Sequence, residues 1–452
     1  MLSAAGITSG LDVDSIVSQL MALERRPLDL LQQKKASIDA RISAYGDLKS
    51  SLSTFQDAME NLGTPDALRI FNATSTNDAV FTASATSTAA ASTFGIEVIR
   101  MAERHKFASV EMLDTDTIGG RNNDALNIQV GSDPANTLEI DLGTAMTLGD
   151  IRDAINSDSA NPGVSATIVF GNNGNQKLVL TARDSGAANA LTMSYSGRMR
   201  ANDFGFEEVN DIGGDTTLLD AEVSVDGYSI TRSSNTIDDV ITGVTLDLQG
   251  ADPGFVYTLD IARDTESVAS NVQAFADAYN EIMSTVGNLR DNELATDTLL
   301  FSVERGLRNI LNSPATGLPS GLSYLGEIGV RFSREGTLTV DMSDVESALT
   351  HNFNAVSELF ATDGQGFANR LDSLVGGWLA TDGLIDGRTD NLDDSKRQLE
   401  RREESLEYRM SQIEARFFAQ FSQLDTLLGS LQTTSQFLTQ QLGQLPNAAN
   451  NS

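Results

Sequence analysis

Histidine and cysteine, which often serve as catalytic groups and metal ligands, are scarce or absent in this sequence. His105 and His351 are its two histidines, and it contains no cysteine. A catalytic zinc ion takes three protein ligands, usually including histidine, and two isolated histidines supply no such group. Without cysteine there can be no disulfide, iron–sulfur cluster or thiol nucleophile. The sequence therefore predicts no metal site and no cofactor, and His105, between Arg104 and Lys106, is predicted to be an exposed strand residue.

Short motifs for phosphate, calcium and acyl chemistry are equally absent. Residues 171–174 (GNNG) lack the following Lys-Ser/Thr of a phosphate loop. The stretch from Asp114 begins like a calcium loop, but its twelfth position is Ala125 rather than a bidentate glutamate. Trp378 is the only tryptophan and is expected to pack in a core or an interface. We therefore predict no catalytic residues and no enzymatic activity.

Charge and composition exclude further classes of function. The 452 residues carry a formal net charge of −32, so phosphate backbones and anionic bilayers would be repelled. No run of 18 apolar residues exists, which predicts no transmembrane helix. The first 30 residues lack a basic segment and a small-residue cleavage site. We expect a cytoplasmic protein, or one exported without cleavage, that forms two to four domains.

The amino-terminal region is predicted to be helical over residues 10–62. Asp12 or Asp14 is a suitable N-cap, and Pro27 should break or kink the helix near 26–27. Apolar residues then recur every seven positions, which is typical of a coiled-coil seam. These seam residues are Leu31, Ile38, Tyr45, Leu52 and Met59.

The carboxy-terminal region repeats this pattern with one irregularity. A step of eleven residues, between Ile413 and Leu424, is a stutter that locally unwinds a coiled coil. The seam residues here are Leu392, Leu399, Leu406, Ile413, Phe417, Phe421, Leu424, Leu431, Leu438 and Leu445. The two seams should pack against each other within one chain, or against the same helices of neighbouring subunits. The sequence leaves both arrangements open.

The middle of the chain is predicted to be rich in strands, with hairpin turns at 171–174 and 225–227. It contains an apparent internal repeat of a hairpin, a short helix and a strand. In each copy a threonine, Thr147 or Thr236, is the expected N-cap of the short helix. Helices return over 264–312, followed by a hairpin at 328–341 and another helix.

Together these patterns predict a multidomain α + β protein. Long terminal coiled-coil helices and a helical leg domain enclose two small β-rich α + β head modules, inserted between the amino- and carboxy-terminal halves. The predicted divisions are a coiled-coil segment (1–70), an inner head module (71–106 and 215–262), an outer head module (107–214), a helical leg domain (263–389) and a terminal coiled-coil helix (390–452).

Several stretches resemble one protein family in the right order along the chain. The amino-terminal GLDVDSIV with the following ERRP block is similar to the start of the flagellar hook-associated protein 2 family, the filament cap proteins. FADAYNEIMSTVGNL, LGEIGVRFSREGTLTVD and SALTHNFNAVSELF resemble its carboxy-terminal half, and residues 383–442 resemble its terminal helix. TLGDIRDAINSDSANPGVSATIV resembles the module inserted in cap proteins and flagellins.

The resemblance implies a structural cap and assembly factor at the distal end of the bacterial flagellum, outside the cell. Such proteins form a ring that promotes flagellin insertion; a homopentamer is expected, with a hexamer or tetramer as alternatives. The implied partners are other copies of the chain, flagellin, the flagellar type III export apparatus and an export chaperone, without nucleic acid or membrane insertion.

Two other functions remain as alternatives. The chain could be another axial protein, flagellin or a hook–filament junction protein, since these also combine helical ends with a β-rich middle. An adhesin role at the filament tip is a secondary possibility, for which the outer head module would be the candidate. No residue in the sequence identifies a ligand for it.

Overall fold

The chain divides into two compact units, one helical and one built mainly of β-strands. The structure is a computed structural model that describes residues 12–319 and 321–443. The helical unit takes in the chain up to Pro65 and from Ala269 onward, and the β unit runs from Asp66 to Val268. The helices are α1 (Val13–Glu24), α2 (Arg26–Glu60), α3 (Pro65–Leu68), α4 (Leu148–Ser157), α5 (Ala201–Phe204), α6 (Thr265–Asp291), α7 (Thr298–Asn312), α8 (Met342–Ala361), α9 (Phe367–Leu379) and α10 (Leu384–Gly443). The predicted multidomain α + β class is confirmed.

The strands are short and almost all lie in the β unit. Their bounds are β1 (Phe71–Ser75), β2 (Phe81–Ala85), β3 (Ser92–Arg100), β4 (Lys106–Ala108), β5 (Met112–Leu113), β6 (Thr117–Ile118), β7 (Ala125–Val130), β8 (Thr137–Asp141), β9 (Met146–Thr147), β10 (Val164–Phe170), β11 (Asn175–Ala182), β12 (Leu191–Ser196), β13 (Glu207–Glu208), β14 (Ala221–Val225), β15 (Tyr228–Arg232), β16 (Thr236–Ile241), β17 (Val244–Leu248), β18 (Tyr257–Arg263), β19 (Val330–Phe332) and β20 (Leu338–Val340).

The amino-terminal helices begin and break as the sequence predicts, with one shift. The carboxylate of Asp12 accepts a hydrogen bond from the amide of Ser15 at 3.0 Å, so Asp12 is the N-cap of α1. The break between α1 and α2 falls at Arg25, one residue before the predicted position. Pro27 therefore lies in the first turn of α2, where the absence of its amide hydrogen costs no helical hydrogen bond.

The helical unit has an aromatic core. Phe55 of α2 stacks on Phe275 of α6, with ring centroids 5.4 Å apart, and Phe55 and Tyr279 are both fully buried. Trp378 is 6 % exposed, which confirms its predicted packing role. β19 and β20 pair antiparallel, as predicted for the hairpin at 328–341.

The β unit contains two groups of sheets with separate apolar cores. One group combines a five-stranded sheet, in the order β1-β18-β3-β14-β15, with a three-stranded sheet, β16-β17-β2. The other combines β10-β11-β4-β13, to which β5 adds, with β12-β7-β8 and the pair β6-β9. α4 packs its apolar face, Leu148, Ile151 and Ile155, into this second core.

The apparent internal repeat is only half correct. Thr147 caps α4 with a reciprocal capping box, in which its hydroxyl accepts from the Asp150 amide and the Asp150 carboxylate accepts from the Thr147 amide. The helix predicted at Thr236 was wrong, because residues 236–241 form β16, paired with β17. This stretch is rich in β-branched residues, and it is too short for a stable helix once Gly243 turns the chain.

The prediction that His105 is exposed was also wrong, since the residue is only 2 % exposed. Its Nδ1 accepts a hydrogen bond from the Leu191 amide at 3.0 Å, and its Nε2 lies 2.7 Å from Oε1 of Glu208. Because Nδ1 accepts, the proton belongs on Nε2, which donates to Glu208. Two specific partners therefore allow a polar ring to be buried.

Candidate self-assembly interface

The long terminal helix α10 runs antiparallel to α2 within the same chain. Four ion pairs show this orientation: from residue 25 to residue 49 on the amino-terminal side, the paired residues of α10 run backwards from 414 to 386. The pairs are Arg25–Glu414 at 3.9 Å, Lys35–Glu403 at 3.1 Å, Asp39–Lys396 at 2.7 Å and Lys49–Asp386 at 3.0 Å. Complementary charges thus flank the apolar seam and favour one register.

The charged groups in this interface stabilise each other's ionised forms. The hydrogen bond from Lys35 lowers the pKa of Glu403, and Gln32 donates a second hydrogen bond to that carboxylate. The bond to Glu403 raises the pKa of Lys35, and that to Asp39 raises the pKa of Lys396. All four pairs lie at the solvent-exposed margin, so they contribute more to register than to stability.

The amino-terminal helix α1 covers the middle of α10 with apolar side chains. Val13, Val17 and Met21 of α1 form a buried cluster with Met410 and Ile413 of α10. Partly buried neighbours on α10 complete the cluster: Leu406, Phe417, Phe418 and Phe421. Phe417 and Phe421 lie within the eleven-residue step of the seam, and both pack against α1 in the same chain.

The seam of α2 divides between two environments. Leu31 and Ile38 lie toward its amino-terminal end and are buried and half-buried, respectively. Tyr45, Leu52 and Met59 are at most 1 % exposed.

Tyr45 belongs to the interior of the helical unit. Its hydroxyl hydrogen-bonds to the carboxylate of Asp297, which also accepts from the Leu299 amide at the start of α7. Burial, and then this bond, raise the pKa of Tyr45 to about 12. Burial opposes ionisation of Asp297, but the bonds from Tyr45 and Leu299 outweigh it, and the pKa of Asp297 is lowered.

Along α10 the exposure of the seam changes sharply. Leu392 and Ile413 are 8 % and 9 % exposed, and Leu399 and Leu406 are half-buried. Beyond Phe421, where the cluster with α1 ends, the seam leucines are open: Leu424 is 42 %, Leu431 55 % and Leu438 54 % exposed. Leu445 lies outside the described residues.

The sequence reasoning missed the apolar face of α1. Val13, Val17 and Met21 follow one another at intervals of four, which is the spacing of one helical face, so the signal was present. It was overlooked because α1 is too short to display a heptad repeat.

Two further observations concern metal binding and membrane insertion. Within 12–319 and 321–443, no group of three or more His, Cys, Asp or Glu side chains could hold a metal ion. In the same residues, none of the helices combines the length and apolar character needed to cross a bilayer.

Comparison with known proteins gives three family matches. The family described as "Flagellar hook-associated protein 2 C-terminus" matches residues 219–433. "Flagellar hook-associated protein 2 N-terminus" matches residues 9–105. "Flagellin hook IN motif" matches residues 125–184, a stretch that contains the hairpin β7–β8, α4 and the hairpin β10–β11.

Individual proteins match over nearly their whole length. Flagellar hook-associated protein 2 of Escherichia coli (strain K12) is 31 % identical over 473 residues, covering 99 % of each chain. A-type flagellar hook-associated protein 2 of Pseudomonas aeruginosa is 28 % identical over 472 residues, covering 98 % of this chain and 97 % of its own. The crystal structure of the D1-D2-D3 domains of the flagellar cap protein FliD from Escherichia coli superimposes with a TM-score of 0.65 at 28 % identity, covering 77 % of this chain and 99 % of that one. This chain therefore belongs to the flagellar hook-associated protein 2 family.

Proposed function

We propose that this chain caps the distal end of the bacterial flagellar filament and acts there as an assembly factor. A ring of its copies would promote insertion of flagellin subunits beneath it. The support for this role is the structural match of 77 % of this chain to the flagellar cap protein from Escherichia coli. The alternatives, another axial protein or an adhesin, have no comparable support.

The observation that carries a self-assembly role is the open seam of α10. Leu424, Leu431 and Leu438 continue a heptad register whose earlier members are buried, yet they are 42–55 % exposed. A helix with one open apolar stripe gains stability by packing against another helix. Copies of the same chain in a ring would bring identical stripes close together.

Charge favours this same segment. From Ser422 to Gly443 the helix carries one charged residue, Asp425, in a chain whose net charge is −32. Identical helices brought side by side repel when they carry like charges. A nearly uncharged stretch is therefore the part of this acidic chain best suited to homotypic contact.

The finer assignments extend the same proposal. The whole set of seam residues, from Leu31 to Leu438, supports assembly: the buried members order the helices, and the open ones contact neighbouring copies. The working stoichiometry is a homopentamer, with a hexamer and a tetramer as the alternatives. The head modules, 71–106 with 215–262 and 107–214, would form the plate, and 263–389 the leg.

Export and partners complete the proposal. The chain would leave the cell through the flagellar type III apparatus, without signal-peptide cleavage and with the help of an export chaperone. Flagellin is the expected partner outside the cell. No catalytic step is required, because adding a subunit needs only binding and a change of conformation.

A truncation within α10 tests the proposal. Ending the chain after Gln423 keeps Phe421 and the cluster on α1 but removes the open seam. We expect this variant to fold as a monomer and to restore neither filaments nor motility in a cap-null strain. Full motility with the truncated chain would show that the terminal segment is not the assembly element.

Native mass spectrometry and negative-stain microscopy of the full chain separate the remaining alternatives. A cap should give closed rings of one mass, which fixes the subunit number. Long tubes would instead identify a flagellin-like axial protein.

A further inference from the structure

A polar cavity of about 350 Å³ opens in the second sheet group of the β unit, between two loops. One loop is 119–124 and the other is 197–199. Its lining falls into an apolar part and a charged part. The apolar residues are Met112, Ile118 and Met199; the charged residues are Arg121, Arg198, Asp124 and Asp203.

The buried residue Asp124 forms hydrogen bonds to both of the loops that carry the arginines. Asp124 is 3 % exposed, its Oδ1 accepts the Arg198 amide at 2.9 Å, and its own amide donates to the Arg121 carbonyl at 3.0 Å. Gly119 and Gly197 both have positive φ, and a Cβ there would lie 2.3 Å and 2.4 Å from backbone oxygens of the facing segment. The frame of the cavity is therefore tightly constrained, and a ligand would not have to order it.

The two guanidinium groups are free to bind a ligand. Within the part of the chain that the structure describes, neither the Arg121 nor the Arg198 side chain has a hydrogen bond or an ion pair, and both are exposed. Acidic residues outnumber basic ones by 63 to 31, so partners for an arginine are abundant in this chain. A planar guanidinium matches a carboxylate with two parallel hydrogen bonds.

The rest of the lining adds two further requirements. Asp203 is exposed at the rim; its Oδ2 accepts the Arg200 amide, which leaves the other oxygen available to accept from a hydroxyl. Met112 is half-buried, whereas Ile118 and Met199 are 6 % and 5 % exposed, so Met112 supplies most of the apolar surface that a ring could cover. The two aspartates balance the two arginines, so a compact dianion such as phosphate gains little there.

We propose that this cavity binds a sugar acid, a single ring that carries one carboxylate and several hydroxyl groups. The carboxylate lies between Arg121 and Arg198, a hydroxyl donates to Asp203, and the ring covers Met112. The assignment does not depend on ring formation by the terminal helix, so either proposal can fail without the other.

Isothermal titration of the full chain with glucuronate tests the site. We expect saturable binding with Kd below about 10 mM, no comparable binding of glucose, and weaker binding of inorganic phosphate. Arg121→Ala and Arg198→Ala should each weaken glucuronate binding about tenfold or more. Arg183→Ala is the matched control, because Arg183 is an exposed arginine of the same unit outside the cavity.

The outcomes divide clearly. No saturation by glucuronate, equal binding of glucose or phosphate, or an equal loss in the Arg183→Ala variant would overturn the proposal. Circular dichroism tests whether the variants fold. If both arginine variants unfold, NMR of the unaltered protein takes their place, and glucuronate should then shift the side-chain signals of Arg121 and Arg198. An oligosaccharide ending in glucuronate that binds as tightly as the free acid identifies a chain end as the ligand, whereas weaker binding identifies the free acid.

Discussion

The Nζ of Lys35 lies 3.1 Å from Oε2 of Glu403, which joins α2 to α10 across 368 positions of the sequence. Glu400 approaches the same ammonium at 3.6 Å. One lysine of the amino-terminal helix thus faces two glutamates of the terminal helix. Because two negative charges surround it, the contact depends on a positive charge at residue 35.

Reversing the charge at residue 35 should weaken the packing of α2 on α10. In Lys35→Glu, three carboxylates would meet, and we expect a lower melting temperature and a smaller helical signal by circular dichroism. Adding Glu403→Lys should recover part of the loss. Lys34→Glu is the matched control, because Lys34 is exposed; an equal loss there would show that net charge, not the pair, is responsible.

The same contact predicts a pH dependence. The pKa of Glu403 is lowered in the folded protein, so its contribution is present above the unfolded pKa of about 4.3 and is lost as pH falls through the folded value. The pKa of Lys35 is raised, so its contribution is lost only as pH rises through that higher value. Melting curves should show that Glu403→Gln is less stable than the parent at neutral pH, and that the difference disappears in acid.

The bond between Tyr45 and Asp297 should matter more than surface ion pairs. Tyr45→Phe removes the hydroxyl from a buried carboxylate, and we expect a loss of about 1–3 kcal/mol in the free energy of unfolding. Tyr408→Phe is the control, since Tyr408 is 69 % exposed. Equal effects of both changes in urea unfolding would contradict the buried-bond interpretation.

The raised pKa of Tyr45 has its own consequence. With a folded pKa of about 12, Tyr45 keeps its proton where an unfolded tyrosine, with a pKa of about 10, begins to lose it. The stability contributed by this residue is therefore present below the unfolded pKa and declines as pH rises toward the folded value. Ultraviolet titration of the parent and of Tyr45→Phe should differ by one late-ionising tyrosine.

Two seam substitutions separate folding from assembly. Ile413→Asp buries a carboxylate beside Val13 and Val17, and we expect several kcal/mol of destabilisation, on the order of the cost of burying an unpaired polar group. Leu431→Asp changes a residue that is 55 % exposed and should leave the melting temperature of the monomer unchanged while reducing ring formation. Rings of normal mass from Leu431→Asp would exclude that part of the seam from assembly.

His105 should stabilise the β unit through its two partners. His105→Leu leaves the Leu191 amide and the Glu208 carboxylate without their imidazole contacts, at a cost of about 1–3 kcal/mol. His351→Leu is the control, because His351 is exposed on α8. Nitrogen-15 NMR should find the proton of His105 on Nε2; a proton on Nδ1 would contradict the assigned bonds.

Regular helical patterns were predictable from the sequence because they repeat. The heptad spacing of Leu31 and Leu392 with their successors, the caps at Asp12 and Thr147, and the turn at 225–227 each follow from local chemistry. The exposure of Leu431 was not predictable, because a seam residue looks the same whether or not a partner helix reaches it.

The incorrect predictions for residues 236–241 and for His105 have one cause, which is interaction with residues that are distant in the sequence. Residues 236–241 resemble a capped helix start, but both ends of this stretch pair with β17 around an irregularity between Ile237 and Ile241, and tertiary pairing outweighs local preference. His105 lies between two charged residues, which suggests exposure, yet its partners come from Leu191 and Glu208, far along the chain. The cavity near Arg121 likewise depends on a loop that is distant in sequence.

The discontinuity of the helical unit has a consequence for the order of folding. The β unit is one uninterrupted stretch from Asp66 to Val268, so all of its contacts become available as soon as that stretch exists. α1 instead packs on α10, and α2 packs on α6 and α10, which both follow the strands of the β unit in the sequence. Bringing together such distant segments is entropically slow. In a chain synthesised from its amino end, the β unit can therefore fold before α1 and α2 reach their final positions, although these two helices are made first.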